Sequence, residues 1–144
     1  MGRALVPVLA TVGFRVVMYD NREELAKKEN YPMASEVIFG SFSDISGKVA
    51  LTANDYAVVM TPGHQADYEI LSQVLGSDAT YIGCRTKVAK TRERLKCDGY
   101  TEEDIARVHA PIGLPILAET PEEIAISIAA EMIEHRARLA GQRH

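Results

Sequence analysis

The segment from residue 81 to residue 87 reads Tyr81-Ile82-Gly83-Cys84-Arg85-Thr86-Lys87. It contains the end of a β-prone run, Thr80 to Ile82, and the glycine that stops this run. A helix-forming segment follows directly, and its cations are Arg85, Lys87, Lys90, Arg92, Arg94 and Lys96. The free N–H groups and dipole of a helix start favour an anionic ligand, as do clustered cations. Such a charge run is also typical of a solvated helix face, and spacing alone leaves both interpretations open.

On either side of this segment, apolar strands alternate with helices. The predicted strands are Phe14–Tyr19, Val37–Phe39, Tyr56–Met60 and Thr80–Ile82. The predicted helices are Arg3–Val12, Glu23–Lys28, Gln65–Leu75, a short one capped by Thr101 and a last one capped by Thr120. Apolar strands that alternate with helices specify a parallel sheet covered on both faces. The prediction is one α/β, three-layer Rossmann-like domain over residues 1–144.

Ligands of such sheets bind outside the carboxyl ends of the strands. The rule places Asp20, Gly40, residues 61 to 64 and residues 83 to 87 on one edge of the predicted sheet. At that edge, His64 is able to bond a ligand or move a proton near neutral pH, or to bond Asp67 within its own loop. Cys84 fits either a thiolate ligand or a small core residue. His109 fits either a helix C-cap or a ligand contact.

The first predicted helix has no strand before it. Gly2 is placed like the last glycine of a G-x-G-x-x-G fingerprint, and Asp20 like the acid that binds a ribose diol. Asp20 is equally well placed to cap its own turn. In a doubly wound sheet the first strand is central. We therefore expect native upstream residues, another segment or another chain to supply it.

Composition narrows the class of protein. The chain has 144 residues, a net charge of −4 and a sequence with no apolar run long enough to cross a bilayer. The acidic balance argues against a nucleic-acid binder that works through bulk charge. Two cysteines, Cys84 and Cys97, give neither a disulfide framework nor a zinc spacing. The expected protein is cytoplasmic, with reduced thiols and without a membrane or nucleic-acid partner.

Several motifs together resemble the XdhC/CoxI family, over nearly the whole of its carboxyl-terminal Rossmann domain. They are Gly2-Arg3-Ala4-Leu5, Thr61-Pro62-Gly63-His64 with Asp67, Tyr81-Ile82-Gly83, Arg85-Thr86-Lys87, His109-Ala110-Pro111-Ile112-Gly113-Leu114 and Thr120-Pro121-Glu122-Glu123-Ile124-Ala125. The resemblance implies a non-enzymatic maturation factor for molybdenum hydroxylases such as xanthine dehydrogenase. Such factors bind the molybdenum cofactor, hold it for sulfuration by a cysteine desulfurase, pass it to the client enzyme and tend to be homodimers.

The resemblance also implies which residues bind the cofactor. Arg85 and Lys87 would hold the phosphate, and His64 and Asp67 would orient the pterin or assist sulfur exchange. The remaining cofactor-binding candidates are Gly2, Asp20, Thr61, Gly63, Gly83, Cys84, His109 and Gly113. No Ser-His-Asp arrangement, metal-ligand spacing or carboxylate pair predicts catalytic or metal-binding residues.

The chain departs from the family pattern at four places. The family's separate amino-terminal domain, first strand and most of its glycine loop are missing, as is a Gly-Ser insertion between Cys84 and Arg85. Leu117 stands where the family usually has glycine. Two other functions therefore stay open. One is an oxidoreductase that uses NAD(P), and the other is a degenerate Rossmann module that dimerises through the last helix.

Overall fold

The structure is a computed structural model that describes residues 2–61, 64–85 and 91–142, with the backbone alone for His64 and Gln142. The helices are α1 (Gly2–Thr11), α2 (Ile45–Lys48), α3 (His64–Val74), α4 (Arg92–Cys97), α5 (Glu102–Ala106) and α6 (Pro121–Gln142). The strands are β1 (Val17–Asp20), β2 (Glu36–Phe39), β3 (Tyr56–Val59), β4 (Tyr81–Cys84) and β5 (Val108–His109). Short 3₁₀ turns lie at Lys28–Asn30 and Phe42–Asp44.

The chain forms two compact units. The first comprises Met1–Ser41 and Gly113–His144, and the second comprises Phe42–Ile112. β1 and β2 make a two-stranded parallel sheet in the first unit, whereas β3, β4 and β5 make a three-stranded parallel sheet in the second, in that order. The parallel α/β architecture confirms the predicted Rossmann-like class. Because β1 and β3 are in separate sheets, the prediction of an additional strand supplied from elsewhere stays a prediction.

In the second unit, the sheet packs on helices through one of its faces. Side chains alternate along a strand, so Ile82 and Cys84 share a face that Tyr81 and Gly83 do not. Ile82 and Cys84 belong to a buried cluster with side chains from α3, α4 and α5. The members of this cluster are Val59, Ile70, Leu71, Val74, Leu75, Ala79, Ile82, Cys84, Leu95, Ile105 and Val108. This packing fixes the sheet on which the candidate site stands.

In the first unit, α1 packs against α6. One apolar face of α6 is buried, with Ala125, Ile128, Ala129 and Met132 at most 3% exposed. α1 contributes the buried residues Leu5, Val6 and Leu9. Arg136 of α6 donates to the carbonyl of Val12 at 3.0 Å, which joins the helix to the residue that follows α1.

Both predicted capping boxes form. The N–H of Asp104 donates to the Thr101 hydroxyl at 3.1 Å, and the N–H of Glu123 donates to the Thr120 hydroxyl at 3.1 Å. In return, the Glu123 carboxylate accepts from the N–H of Thr120 at 3.3 Å and that of Glu119 at 2.9 Å. These backbone hydrogen bonds lower the pKa of Glu123. The start of α6 is therefore specified by its own sequence.

Three predictions of secondary structure are wrong. Residues 23 to 28 do not form the predicted helix, because residues 23 to 25 make a turn and Lys28 begins a 3₁₀ turn. A helix this short depends on tertiary packing, and none of these six residues is buried, whereas α4 and α5 bury Leu95 and Ile105. β5 stands where the sequence predicts the end of the helix capped by Thr101, since two residues are too short to show a period. In the basic segment, the strand continues to Cys84, so the predicted helix does not follow Gly83 directly. Residues 86 to 90 of that predicted helix lie outside the described residues, and the helix described after them is Arg92–Cys97.

Arg107 ties the end of α3 to the start of β4. Its guanidinium donates to the carbonyl oxygens of Leu75 at 3.3 Å, Ser77 at 3.4 Å and Ala79 at 2.9 Å. A methionine would keep most of the apolar stem and leave these acceptors to water. We expect Arg107→Met to lower the free energy of unfolding by about 1–2 kcal/mol in urea denaturation.

Arg92→Met is the matched control for Arg107→Met. Arg92 pairs with Glu102 at 3.7 Å between exposed side chains, and such pairs contribute about 1 kcal/mol or less. Equal destabilisation by the two variants would show that the three carbonyl contacts of Arg107 do not stabilise the fold.

Leu117 adopts a left-handed backbone conformation with φ of 61°. This region is unfavourable for residues with a Cβ atom and favourable for glycine. Leu117→Gly should raise the free energy of unfolding by about 0.5–1 kcal/mol, after allowance for the extra entropy of unfolded glycine. Leu117→Ala keeps the Cβ atom and should give no gain. A gain in the alanine variant as large as in the glycine variant would exclude backbone strain as the cause.

Candidate functional site

The carboxyl edge of the three-stranded sheet is the candidate site. The register places Val59 opposite Cys84 and Gly83 opposite His109, so the three strands end side by side. The alignment continues beyond the strands, because the N–H of Arg85 donates to the Val59 carbonyl at 3.1 Å. With about 4.8 Å between neighbouring strands, the edge is about 10 Å wide. It is thus wide enough for one small ligand.

Thr61 and Asp67 lie at the β3 end of this edge. Asp67 is in the first turn of α3, where its negative charge complements the helix dipole, and it is only 2% exposed. The Thr61 hydroxyl donates to a carboxylate oxygen of Asp67, which links the residue after β3 to the helix. His64 begins α3, but its side chain lies outside the described part of the structure, and so do Gly63 and Lys87. Their predicted roles remain predictions.

Arg85 follows the central strand of the edge. Its backbone is held by the bond to Val59, and its side chain is exposed. A guanidinium in this position presents several donors toward solvent at the carboxyl edge, which suits a phosphate or carboxylate.

His109 lies on β5 beside Gly83 and is exposed. Its ring stacks on Tyr81, with ring centroids 4.6 Å apart and an interplanar angle of 18°. Tyr81 is itself 1% exposed, so the stacking surface is held in the interior. The helix C-cap interpretation is wrong, because α5 ends at Ala106 and its C-cap is Arg107. The imidazole is therefore an exposed polar group with one face held by an aromatic ring.

Packing explains Gly83, whose predicted ligand role stays a prediction, and it places Cys84 in the core. A Cβ atom on Gly83 would lie 2.2 Å from Cδ1 of Ile112, so close packing requires glycine at this position. Cys84 is 1% exposed and belongs to the core cluster beneath α3, α4 and α5. The interpretation of Cys84 as a small core residue fits this geometry, whereas that of an accessible thiolate does not.

The cations of α4 are engaged by the protein's own groups. Arg92 and Lys96 both pair with Glu102, and the hydrogen bond from Lys96 lowers the pKa of Glu102. Arg94 donates to Gln65 at 2.5 Å, and its guanidinium lies 3.8 Å from the ring centroid of Tyr68. For these three cations, the contacts favour the solvated helix face, and the anion site stays a prediction that depends on Arg85 and Lys87.

Gly2 and Asp20 belong to the first unit. A Cβ atom on Gly2 would lie 3.0 Å from Cε of Met18 on β1, so the start of α1 packs tightly against this strand. Asp20 ends β1 and is 7% exposed. Its carboxylate accepts from the N–H of Arg22 at 3.0 Å and from the Arg22 guanidinium at 3.1 Å through both oxygens. This pairing raises the pKa of Arg22. Asp20 therefore caps its own turn, and its role in binding a diol stays a prediction.

Gly113 has φ of 107°, a conformation that favours glycine. A Cβ atom there would lie 2.4 Å from the hydroxyl of Ser127, which donates to the carbonyl of Leu114 at 2.6 Å. Backbone conformation and packing against α6 thus account for Gly113. Its predicted cofactor contact is not needed to explain it.

Comparison with known proteins gives the family. The family model described as the XdhC Rossmann domain matches residues 1–132. The chain belongs to the XdhC Rossmann domain family. This result confirms the family identified from the sequence motifs.

Three proteins similar to this XdhC Rossmann domain come from Escherichia coli, Bacillus subtilis and Bacillus halodurans. The uncharacterized protein YqeB of Escherichia coli K12 is 30% identical over 138 residues, which are 93% of this chain and 25% of YqeB. A Bacillus subtilis 168 protein, described as a probable subunit of xanthine dehydrogenase, is 30% identical over 136 residues, or 94% of this chain and 40% of that protein. A crystal structure described as a xanthine dehydrogenase from Bacillus halodurans has a TM-score of 0.81 and 32% identity, over 94% of this chain and 39% of its own.

The XdhC domain described here thus spans 25–40% of the length of these relatives. Within the described residues, no helix is long and apolar enough to cross a membrane. The same residues contain no cluster of three or more His, Cys, Asp or Glu side chains that could hold a metal ion.

Two contacts in the site region are not predicted from the sequence. Tyr81 orients His109 across neighbouring strands, and Arg107 holds three carbonyl groups beside β4. The stack depends on β5, which has no periodic signal of its own. The Arg107 contacts join residues about 30 positions apart and have no local pattern.

The packing role of Gly83 leads to a mutational test. Gly83→Ala should lower the free energy of unfolding by about 1–3 kcal/mol, because the new methyl group overlaps Ile112. Ile112→Ala removes the overlapping atoms, so the double variant should be more stable than the sum of the single effects predicts, by about 1 kcal/mol. Additive effects in urea denaturation would contradict packing as the reason for glycine.

Proposed function

We propose that this chain is the Rossmann domain of a maturation factor that binds the molybdenum cofactor and delivers it to a molybdenum hydroxylase such as xanthine dehydrogenase. The observation that carries the proposal is the family match over residues 1–132, together with two relatives whose names refer to xanthine dehydrogenase. The expected location is the cytoplasm, and the expected further partners are a cysteine desulfurase and a second copy of the chain.

The residues of the carboxyl edge fit this cofactor. A phosphorylated pterin needs a cation for its phosphate and hydrogen-bonding groups for its ring edge. The edge has the exposed guanidinium of Arg85, the hydroxyl of Thr61 and the exposed imidazole of His109. In its bound form the cofactor supplies the molybdenum chemistry that the client enzyme needs.

Each residue at this edge has a distinct part. Arg85 would hold the phosphate, with Lys87 as its proposed neighbour. Asp67 is buried and bonded to Thr61, so it would act by fixing the hydroxyl rather than by touching the pterin. His64 would orient the pterin, as the resemblance implies, and His109 would offer a hydrogen bond from a ring held by Tyr81.

Sulfur exchange needs a source outside the described edge. Cys84 is the cysteine nearest the edge in sequence, and its side chain is in the core. Cys97 is exposed, but it ends α4 rather than a strand. A separate desulfurase as sulfur donor is consistent with both placements.

A second candidate function rests on Gly2 and Asp20. Close packing of a helix start on a strand is the role of the last glycine in a dinucleotide fingerprint, and Gly2 has this packing. Asp20 ends the same strand, where an acid would bind the ribose. An oxidoreductase that uses NAD(P) is therefore the alternative, and hydride transfer from NADH would distinguish it.

The cofactor proposal is tested on the full-length protein. The protein is mixed with molybdenum cofactor released from a purified molybdenum enzyme, desalted, and measured for molybdenum by mass spectrometry. We expect near-stoichiometric retention by the natural protein. Arg85→Ala should weaken retention about tenfold or more, because a charged hydrogen bond to the phosphate is lost.

Arg92→Ala is the control, since it removes the same charge from a side chain that already pairs with Glu102. It should retain the cofactor as the natural protein does. Equal loss of molybdenum retention in both variants would mean that net charge, and not a contact made by Arg85, causes the effect. Failure of the natural protein to retain molybdenum, or turnover of NADH by it, would overturn the cofactor proposal.

A further inference from the structure

The segment before α6 exposes apolar side chains in a strained conformation. Leu117 is 92% exposed and has φ of 61°, and its neighbour Ile116 is 50% exposed. We call Ile116 and Leu117 the Leu117 knob. An exposed leucine in a backbone conformation that favours glycine adds nothing to the core, so a role in folding does not explain it.

The knob is held in place at both ends of its loop. The N–H of Leu114 donates to the carbonyl of Ser127 at 3.2 Å, and the Ser127 hydroxyl donates back to the carbonyl of Leu114 at 2.6 Å. At the other end, the N–H of Glu119 donates to the Glu123 carboxylate at 2.9 Å. A side chain presented by such a fixed loop loses little entropy on binding.

The charge around the knob restricts what it can bind. Between Gly113 and Ser127 the sequence has Glu119, Glu122 and Glu123 and no Lys or Arg. The same patch on a second copy would bring like charges together, and an anionic membrane would repel it. An apolar pocket bordered by cations on another protein complements both the shape and the charge.

We propose that the Leu117 knob inserts into an apolar pocket, bordered by Lys or Arg, on the molybdenum hydroxylase that receives the cofactor. This inference rests on the proposed function, and it adds the surface that brings the client enzyme to this domain. The client is the expected occupant because the proposed function requires contact between this domain and that enzyme, and the acidic border disfavours a second copy and an anionic membrane. Leu117 is the central contact, and the three glutamates set the charge of the border.

Binding to the client enzyme tests the inference. The full-length protein is immobilised, and purified xanthine dehydrogenase without its molybdenum cofactor is passed over it in biolayer interferometry. Leu117→Gly should bind about tenfold or more weakly, because a central apolar anchor is lost. This substitution relieves the backbone strain, so weaker binding cannot come from a less stable fold. Glu122→Gln should weaken binding less and should reduce its dependence on salt.

Met33→Ala is the matched control, because Met33 is another exposed apolar side chain of the same unit, at 47%. It should bind as the natural protein does. Equal binding by the natural protein and Leu117→Gly would overturn the inference and leave the proposed function intact. Absence of binding by the natural protein would instead count against the proposed client, and with it the inference.

A thiol placed at the knob gives a second measurement. Leu117→Cys is made together with Cys97→Ser, because Cys97 is exposed and Cys84 is buried. Rapid alkylation that slows when xanthine dehydrogenase is added would support docking. Slow alkylation without the enzyme would show that the knob is covered by the protein's own chain, which overturns the inference. The inference would also be overturned if the Leu117→Gly variant lost self-association, desulfurase binding or binding to phosphatidylglycerol vesicles and still bound the enzyme normally.

Discussion

The alternation of side chains along β4 is the constraint on which the second unit depends. Ile82 and Cys84 must face the helices, because burial of this apolar face is what joins sheet and helices. Tyr81 and Gly83 then face the other way, where Tyr81 supports His109 and Gly83 leaves room for Ile112. The core therefore uses one face of β4, and the candidate site uses the other. A shift of the register by a single residue would exchange the two sets and remove both.

This constraint explains which parts of the fold could be predicted. The strands around Tyr56 and Tyr81 are short, apolar and bounded by loop residues, so their type follows from local sequence. The cap at Thr120 is also local, since its partners lie within four residues. β5 has two residues, and its identity as a strand depends on pairing with Ile82 and Gly83. That pairing is a tertiary contact with no trace in the sequence around Val108.

The site was harder to predict because a charge run looks the same in water, in ion pairs and around a ligand. The run from Arg85 to Lys96 fits either one anion site or a solvated helix face. In the structure, Glu102 pairs with Arg92 and Lys96 from a different helix. Arg85 differs from them because it follows a strand end at the edge of the sheet. Topology rather than charge density therefore distinguishes the cation suited to a ligand from those that serve the fold.

The glycines and Leu117 also show how residues that serve the fold can be distinguished from residues that serve binding. Gly83 and Gly113 stand where a Cβ atom would overlap Ile112 or Ser127, so folding accounts for both residues. Leu117 has a Cβ atom in a backbone conformation that favours glycine, and its side chain is largely outside the protein. Local rules that a fold obeys elsewhere are most often broken where a residue serves something besides folding. By this criterion the glycines that resembled ligand-binding positions belong to the scaffold, and the leucine that breaks the rule is the better indicator of a partner.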